Sequence, residues 1–177
     1  MTNPGHSLVL MAPRRWTSQV MKGSILFFLV TVALESFCLA KVTKLPPDCQ
    51  KILHDVSRFR GISSATNLPT AVFALCSDDN GRLAEAGQRW EATDLITDRT
   101  LPRKRLIWAV TNGDYYVVHY ERGGDAHSFH VLVAKLKIGE GKLSFVWRGV
   151  GEKLKDFKAF INAVSGNKLD DTRDYAY

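Results

Sequence analysis

The sequence has few of the features that identify a function directly. Of its three cysteines, neither Cys49 nor Cys76 has a cysteine or histidine partner at the spacing of a zinc site. It has no Ser–His–Asp order, no nucleophile elbow and no metalloprotease spacing. Internal repeats and low-complexity segments are absent as well. These absences argue against the common hydrolase and zinc-protein classes, and we expect no cofactor.

Long apolar runs are also lacking. The longest, Ile25 to Leu34, covers about ten residues, whereas a membrane-spanning helix needs about 20. It follows the cationic start Met21-Lys22 and precedes Cys38-Leu39-Ala40, whose first and last residues suit signal peptidase. Residues 21–40 therefore predict a secretory signal peptide, a secreted or periplasmic protein, and no stable membrane anchor after cleavage.

The chain on either side of this signal divides into three further parts. Because a signal starting at Met21 is complete by itself, we interpret residues 1–20 as a mis-called extension or, alternatively, a long basic leader. Residues 41–168 are expected to form a single secreted domain. The polar residues 169–177 are expected to be a disordered tail.

A strong excess of one charge is missing too. The chain has 24 basic and 18 acidic residues, and residues 41–177 retain 21 and 17 of them, a net charge of +4. Nucleic-acid-binding proteins concentrate positive charge on one face or along one helix. The only dense cluster here is Arg103-Lys104-Arg105, which we interpret as a solvated strand entrance. We therefore expect no nucleic acid among the partners.

Two short apolar segments near the start of the domain predict a pair of helices. Apolar residues recur at helical spacing after Pro47, predicting a helix over residues 48–60 with Asp48 as its N-cap. Residues 71–76 predict a second short helix, although a buried strand fits as well. If the two helices pack antiparallel, Cys49 approaches Cys76, and secretion makes a disulfide between them the expected state, with two buried thiols as the alternative.

The second half of the chain predicts a sheet. Four segments are rich in β-branched and aromatic residues, namely 105–111, 114–121, 126–137 and 142–149. They are separated by the tight-turn signals Asn112-Gly113, Gly123-Gly124 and Gly139-Glu140-Gly141. An apolar stripe predicts a closing helix over residues 151–164, with Gly166 as its cap. Residues 82–101 have no clear pattern, and Trp90, Leu95 and Ile96 are expected to anchor them.

Together these segments predict an α+β fold. It consists of an N-terminal helical pair, a four-stranded antiparallel β-meander, and a C-terminal helix packed on one face of the sheet. Two-residue turns at the first two hairpins would place Trp108 opposite Val117 and His119 opposite Ser128.

That register collects four polar residues on one sheet face, and they are the catalytic candidates: His119, Glu121, Ser128 and His130. A histidine pair beside a carboxylate can act as a general base or begin a metal site. The alternative is a wet rim of the meander without catalytic function. Because no complete motif supports catalysis, we favour a non-catalytic protein and expect no bound metal.

Aromatic residues of the sheet suggest a second possibility. They could form a platform on which sugars or peptides stack, and the candidate binding residues are Trp108, Tyr115, His119 and His130. The alternative for these aromatic side chains is a role in the hydrophobic core. The glycines of the segment Glu121 to Asp125 lie between two strands, so they indicate a hairpin rather than a phosphate-binding loop.

Small size, secretion and the lack of a catalytic motif favour a binding protein. The expected function is non-catalytic binding of an envelope or extracellular protein, as an inhibitor or immunity factor does. Two alternatives stay open at this point. One is a small secreted hydrolase or metal-dependent enzyme that uses His119 and His130. The other is a carrier of a small ligand or polysaccharide that uses the sheet aromatics.

Overall fold

The computed structural model describes residues 44–124, 126–137 and 139–171. The described residues belong to one compact unit. Within the described residues this unit contains three α-helices and five β-strands. The helices are α1, Pro47–Leu53, α2, Thr70–Cys76, and α3, Phe157–Ser165. The strands are β1, Arg60–Ile62, β2, Lys104–Thr111, β3, Tyr115–Arg122, β4, Ser128–Leu136, and β5, Leu143–Gly151.

The five strands form one antiparallel sheet in the order β1-β2-β3-β4-β5. The predicted α+β class and antiparallel sheet are therefore confirmed. The prediction of four strands is wrong, because β1 pairs with β2 along Arg60 to Ile62. The first helix was predicted to extend to Arg60, the residue at which β1 begins. That helix ends at Leu53, and a 3₁₀ turn at Val56–Arg58 leads the chain into β1.

Helices cover both faces of the sheet. One core contains α1 and α3 with Val117, Val133 and Trp147, and the other contains α2 with Val118 and Leu132. Neighbouring residues of a strand point to opposite faces, so β3 contributes Val117 to the first core and Val118 to the second. The predicted antiparallel packing of α1 against α2 is therefore wrong, because the sheet lies between them.

The expected disulfide is wrong for the same reason. Cys49 belongs to the core on the α1 side and Cys76 to the core on the α2 side, and both are free, buried thiols. Burial raises the pKa of both thiols, that of Cys76 to about 12. Both are therefore protonated at neutral pH. Cys38 lies outside the described residues, as do the predicted signal peptide and leader.

The register of the sheet differs from the expected one at both hairpins. At the first, Thr111 pairs with Tyr116, and a bulge interrupts β2 between Leu106 and Trp108. At the second, Arg122 pairs with Ser128, so five residues separate the paired positions instead of two. An odd shift in register turns every side chain of a strand to the other face. The side chains of β4 therefore lie on the opposite face from the one predicted.

The C-terminal helix packs on one face, as expected, but begins later. Strand β5 continues to Gly151, and α3 starts after Asp156, whose carboxylate accepts a hydrogen bond of 2.8 Å from Ala159 N–H. Gly166 is its C-cap, as predicted. Beyond the helix, Asp170 forms a two-way backbone bridge with Val150. The folded domain thus extends past residue 168, and residues 172–177 of the predicted tail lie outside the described part.

No helix in the described ranges has both the length and the apolar character that crossing a bilayer requires.

Candidate functional site

The four catalytic candidates divide between the two faces of the sheet. His119 and Glu121 lie on the face covered by α1 and α3, whereas Ser128 and His130 lie on the face covered by α2. His119 pairs with Val131 rather than Ser128. The side chains expected to form one cluster therefore form separate contacts.

His119 is fully buried and both of its ring nitrogens are engaged. Nδ1 donates to the carbonyl oxygen of His130 at 2.8 Å, and Nε2 accepts from Leu154 N–H at 3.0 Å. The indole Nε1–H of Trp108 donates to the Leu154 carbonyl at 2.8 Å. Burial lowers the pKa of His119, which favours the neutral ring that these bonds require. His119 and Trp108 together hold the chain that leads into α3.

His130 forms a polar pair with Ser128 on the opposite face. The Ser128 hydroxyl lies 2.7 Å from His130 Nε2, and the imidazole stacks on the Tyr120 ring at 5.2 Å. Burial, helped by the nearby cations Arg122 and Lys104, lowers the pKa of His130 to about 4. A ring with this pKa is a weak base at neutral pH.

Glu121 of β3 contacts Arg105 of β2 and His127, the residue before β4. It is buried, accepts a hydrogen bond of 2.6 Å from Arg105 Nε, and lies 2.8 Å from His127 Nε2. Trp90 covers both partners, with its ring 5.1 Å from the Arg105 guanidinium and 5.3 Å from the His127 ring. Trp90 is thus an anchor, as expected.

The remaining binding candidate, Tyr115, lies in the core beside Cys49. The residue is 7% exposed, and burial raises the pKa of its hydroxyl to about 12. Trp108 packs on His119 and Phe157. These aromatic side chains contribute to the core rather than to an open platform. In the described part of the chain, no group of three or more acidic, histidine or cysteine side chains could hold a metal ion.

The most unusual feature of the molecule is the connection between α2 and β2. Residues 77–103, called the long loop below, contain no helix or strand. Loops of more than about 15 residues without secondary structure are uncommon in compact domains, and usually carry function or are disordered. This loop is ordered by hydrogen bonds to three of its own carboxylates: Asp78, Glu85 and Glu91.

Asp78 and Glu85 fix the first part of the long loop. Asp78 is buried and accepts backbone hydrogen bonds from Asn80, Arg82 and Arg103 at 2.9–3.0 Å. These bonds outweigh its burial and lower its pKa. Glu85 accepts a bond of 2.9 Å from Ala65 N–H, so the long loop is tied to the segment before α2.

Glu91 organises the second part of the long loop. Its Oε2 accepts from Thr97 N–H at 3.2 Å, Thr97 Oγ1 at 2.9 Å and Asp98 N–H at 3.1 Å. The Thr93 hydroxyl lies 3.2 Å from Glu91 Oε1 and 2.9 Å from Leu95 O. The Thr97 hydroxyl and the Asp98 amide are the main causes that lower the Glu91 pKa, so the carboxylate is ionised at neutral pH.

The chain between these anchors forms an apolar tip. Leu95 is 72% exposed and Ile96 is 44% exposed. Both were expected to anchor this part of the chain, and the structure shows them exposed. The anchor is the carboxylate of Glu91, which sequence patterns of apolar residues do not reveal. The hint available in the sequence is the density of Thr and Asp around residues 93–100, which favours side-chain hydrogen bonds to the backbone.

Comparisons with known proteins supply no relative for this arrangement: no family model, no curated protein and no solved structure matched the chain.

Proposed function

We propose that this protein is a non-catalytic binding protein that is secreted or periplasmic and holds a protein partner through the tip of its long loop. The observation that carries the proposal is the exposed pair Leu95 and Ile96 on a chain segment held by the buried Glu91 carboxylate. An inhibitor or immunity factor would use such a tip in the same way.

The physical argument is pre-organisation. Single exposed apolar residues are common on protein surfaces and need no explanation. Here two are adjacent, and the more exposed one lies between anchored residues. A loop already held in its binding conformation loses less conformational entropy on association, so more of the contact energy appears as affinity. A few residues near the centre of an interface carry most of its binding energy.

The secreted or periplasmic location rests on the signal-peptide pattern of residues 21–40 alone. The free thiols of Cys49 and Cys76 remove the disulfide as a second argument. Both thiols are buried, and burial protects them from oxidation in either compartment.

Affinity capture with matched variants tests the proposal. Wild-type protein and Leu95→Asp are immobilised, and the secreted and envelope fractions of the source organism are passed over both. Val146→Asp is the control, because Val146 is 37% exposed but lies on β5, away from the long loop in the chain. We expect one stoichiometric partner that wild type and Val146→Asp retain and that Leu95→Asp loses.

The dissociation constants of that partner for wild type and for Leu95→Asp are then compared. Loss of a central apolar anchor costs about 2 kcal/mol or more, which corresponds to roughly 30-fold weaker binding. A partner that Leu95→Asp binds as tightly as wild type would contradict the assignment of the tip. Equal loss in both variants would indicate a general surface effect and would also contradict it.

A further inference from the structure

A cleft of about 500 Å³ lies along the long loop and shares only Ile96 with the tip proposed to bind a protein. Three arginines line it, Arg82, Arg99 and Arg103, together with the apolar residues Ile96 and Leu101. Its volume falls within the range of small-molecule sites, about 300–1,000 Å³. The cleft combines convergent cations with apolar wall, which is the composition of a site for an organic anion.

The acidic residues of the cleft differ in how far they are already engaged. The carboxylate of Asp78 accepts three backbone N–H groups, and that of Glu91 holds Thr97 and Asp98. The third acidic residue is the exposed Asp79. With three cations and three anions the lining is formally neutral, which favours a ligand with one negative charge over a phosphate dianion.

Two buried donors of the cleft residues lack an acceptor. Arg82 Nε and Arg103 Nε are both buried and have no hydrogen-bond partner in the described residues. A buried polar group without a partner costs stability, so such groups are rare and call for an explanation. Because each Nε is closed to solvent, an oxyanion in the cleft would bind the terminal Nη groups and would reach Nε only after a shift of the side chain.

One of these guanidinium groups is held in place by the long loop. Arg82 Nη1 donates to the carbonyl oxygens of Arg99 and Thr100 at 3.1 and 2.8 Å, and Nη2 lies 3.5 Å from Asp78. Arg103 lies against Gly124, where an added Cβ would be 2.6 Å from its Nη2. A fixed guanidinium matches a planar carboxylate with two parallel hydrogen bonds.

We propose that this cleft binds a small monocarboxylate, with the carboxylate held by Arg103 and Arg82 and an apolar tail packed on Ile96 and Leu101. Arg99 adds a positive charge at the cleft wall. Ile96 belongs both to the cleft and to the exposed tip, so an occupied cleft would restrict the tip further. Carboxylate binding itself does not depend on the existence of a protein partner.

Titration with defined probes tests the proposal. Wild-type protein labelled with ¹⁵N is titrated with hexanoate, with hexan-1-ol as the uncharged analogue and with inorganic phosphate as a charged probe without a tail. Ionic strength is held constant, because salt screens charge–charge attraction. We expect saturable shifts of the amide signals of residues 78–82 and 96–103 with hexanoate, and much weaker effects with the other two probes.

Matched variants assign the shifts to the arginine fork. Arg103→Gln should weaken hexanoate binding about tenfold, because it removes a charge-assisted bidentate contact. Arg103→Lys keeps the charge but loses the planar fork. Its affinity for hexanoate should lie between those of wild type and Arg103→Gln. Arg89→Gln is the control, since Arg89 is an exposed arginine of the same loop that does not line the cleft.

Three results would overturn the proposal: no saturable shifts with hexanoate, equal affinity of Arg103→Gln and wild type, or phosphate binding as tight as hexanoate. Folding of Arg103→Gln is checked by its thermal midpoint. If that variant does not fold, Arg99→Gln replaces it, because the Arg99 side chain is exposed and its backbone carbonyl remains available to Arg82. Partner capture is not part of this readout, so failure here leaves the proposed function unaffected.

Discussion

Single buried side chains in this protein hold chain segments rather than perform chemistry. His119 joins β3 to the backbone before α3, and Glu91 joins the two ends of the exposed tip. In both cases a side-chain atom takes over the hydrogen bonds of backbone groups outside regular secondary structure. Buried backbone groups must find such partners, because water cannot reach them. This explains why polar residues that resemble catalytic groups in the sequence are fully occupied in the fold.

The buried His130 predicts an acid-sensitive stability. Its pKa is about 4 in the folded protein and 6.5 is its ordinary value. As pH falls, His130 is therefore protonated in the unfolded chain at a higher pH than in the folded protein. The free energy of unfolding decreases as pH falls from about 6.5 towards 4. Between pH 7.5 and 5 we expect the free energy of unfolding to fall by roughly 1–2 kcal/mol from this residue. Urea unfolding at several pH values measures the change.

The variant His130→Gln should flatten that pH dependence, because glutamine does not titrate. His54→Gln is the control, since His54 is exposed. A His130→Gln profile parallel to that of wild type would contradict the prediction.

The Glu91 carboxylate predicts a local effect of charge removal. In Glu91→Gln the acceptor is neutral and one oxygen is replaced by a donor, so the bonds to Thr97 and Asp98 weaken. We expect amide exchange at these two residues to become about tenfold faster or more, while the core helices keep their protection. Exchange read by NMR or mass spectrometry measures this, with Glu140→Gln in the exposed β4–β5 turn as the control. Unchanged exchange at Thr97 would show that the carboxylate does not order the tip.

The pKa of Glu91 adds a pH test for the same tip. Because the folded pKa lies below the ordinary 4.5, the ionised carboxylate stabilises the loop above that pH. This contribution is lost as pH falls through the folded pKa.

The connection between β3 and β4 depends on close approach of the long loop to the sheet. Gly123, at the end of the β3–β4 hairpin, lies directly against the backbone of Glu91 and Ala92, and its N–H donates to Arg103 O at 2.9 Å. The glycine pair that signals a tight turn in the sequence thus makes room for the loop. The connection between β3 and β4 has five residues between the paired positions Arg122 and Ser128 instead of the predicted two. The side chains of β4 therefore point to the opposite face of the sheet from the one predicted.

Substitution of Gly123 tests this contact. In Gly123→Ala the added Cβ would overlap Glu91 O and lie 2.8 Å from Ala92 Cα, and backbone atoms cannot rotate away. We expect a loss of about 1–3 kcal/mol of stability and displacement of the tip. Chemical unfolding and amide exchange measure these effects.

Gly61→Ala in β1 is the matched control, because nothing lies within 4 Å of a Cβ at that position. We expect it to be close to neutral. Equal effects of the two substitutions would indicate loss of chain flexibility in general rather than a clash with the long loop.

The described part of the chain forms a sheet between two helical layers, and this arrangement decides the chemistry of Cys49 and Cys76. Cys49 and Cys76 belong to cores on opposite faces, so no local movement brings them together. A disulfide also requires Cα atoms within about 7 Å of each other.

A thiol assay tests this arrangement. We expect both thiols to react with Ellman's reagent only after unfolding, because each is buried. Dithiothreitol should leave the thermal midpoint of the protein unchanged. The double variant Cys49→Ala, Cys76→Ala serves as the blank for the assay. A midpoint that falls on reduction, or a protein without titratable thiols at positions 49 and 76 after denaturation, would contradict the separation of the two cores.

Local patterns in the sequence predict the α+β class, the approximate positions of strands β2 to β5 and the Gly166 cap, whereas they leave residues 71–76 open between a helix and a buried strand. These follow from periodicity and from single-residue backbone preferences, which act over a few neighbours. Long-range contacts in the fold settle which face each strand presents, which helices share a core, and that Glu91 holds an exposed tip. Each of these depends on contacts between residues far apart in the chain, such as Gly123 with Glu91, and no local pattern encodes them.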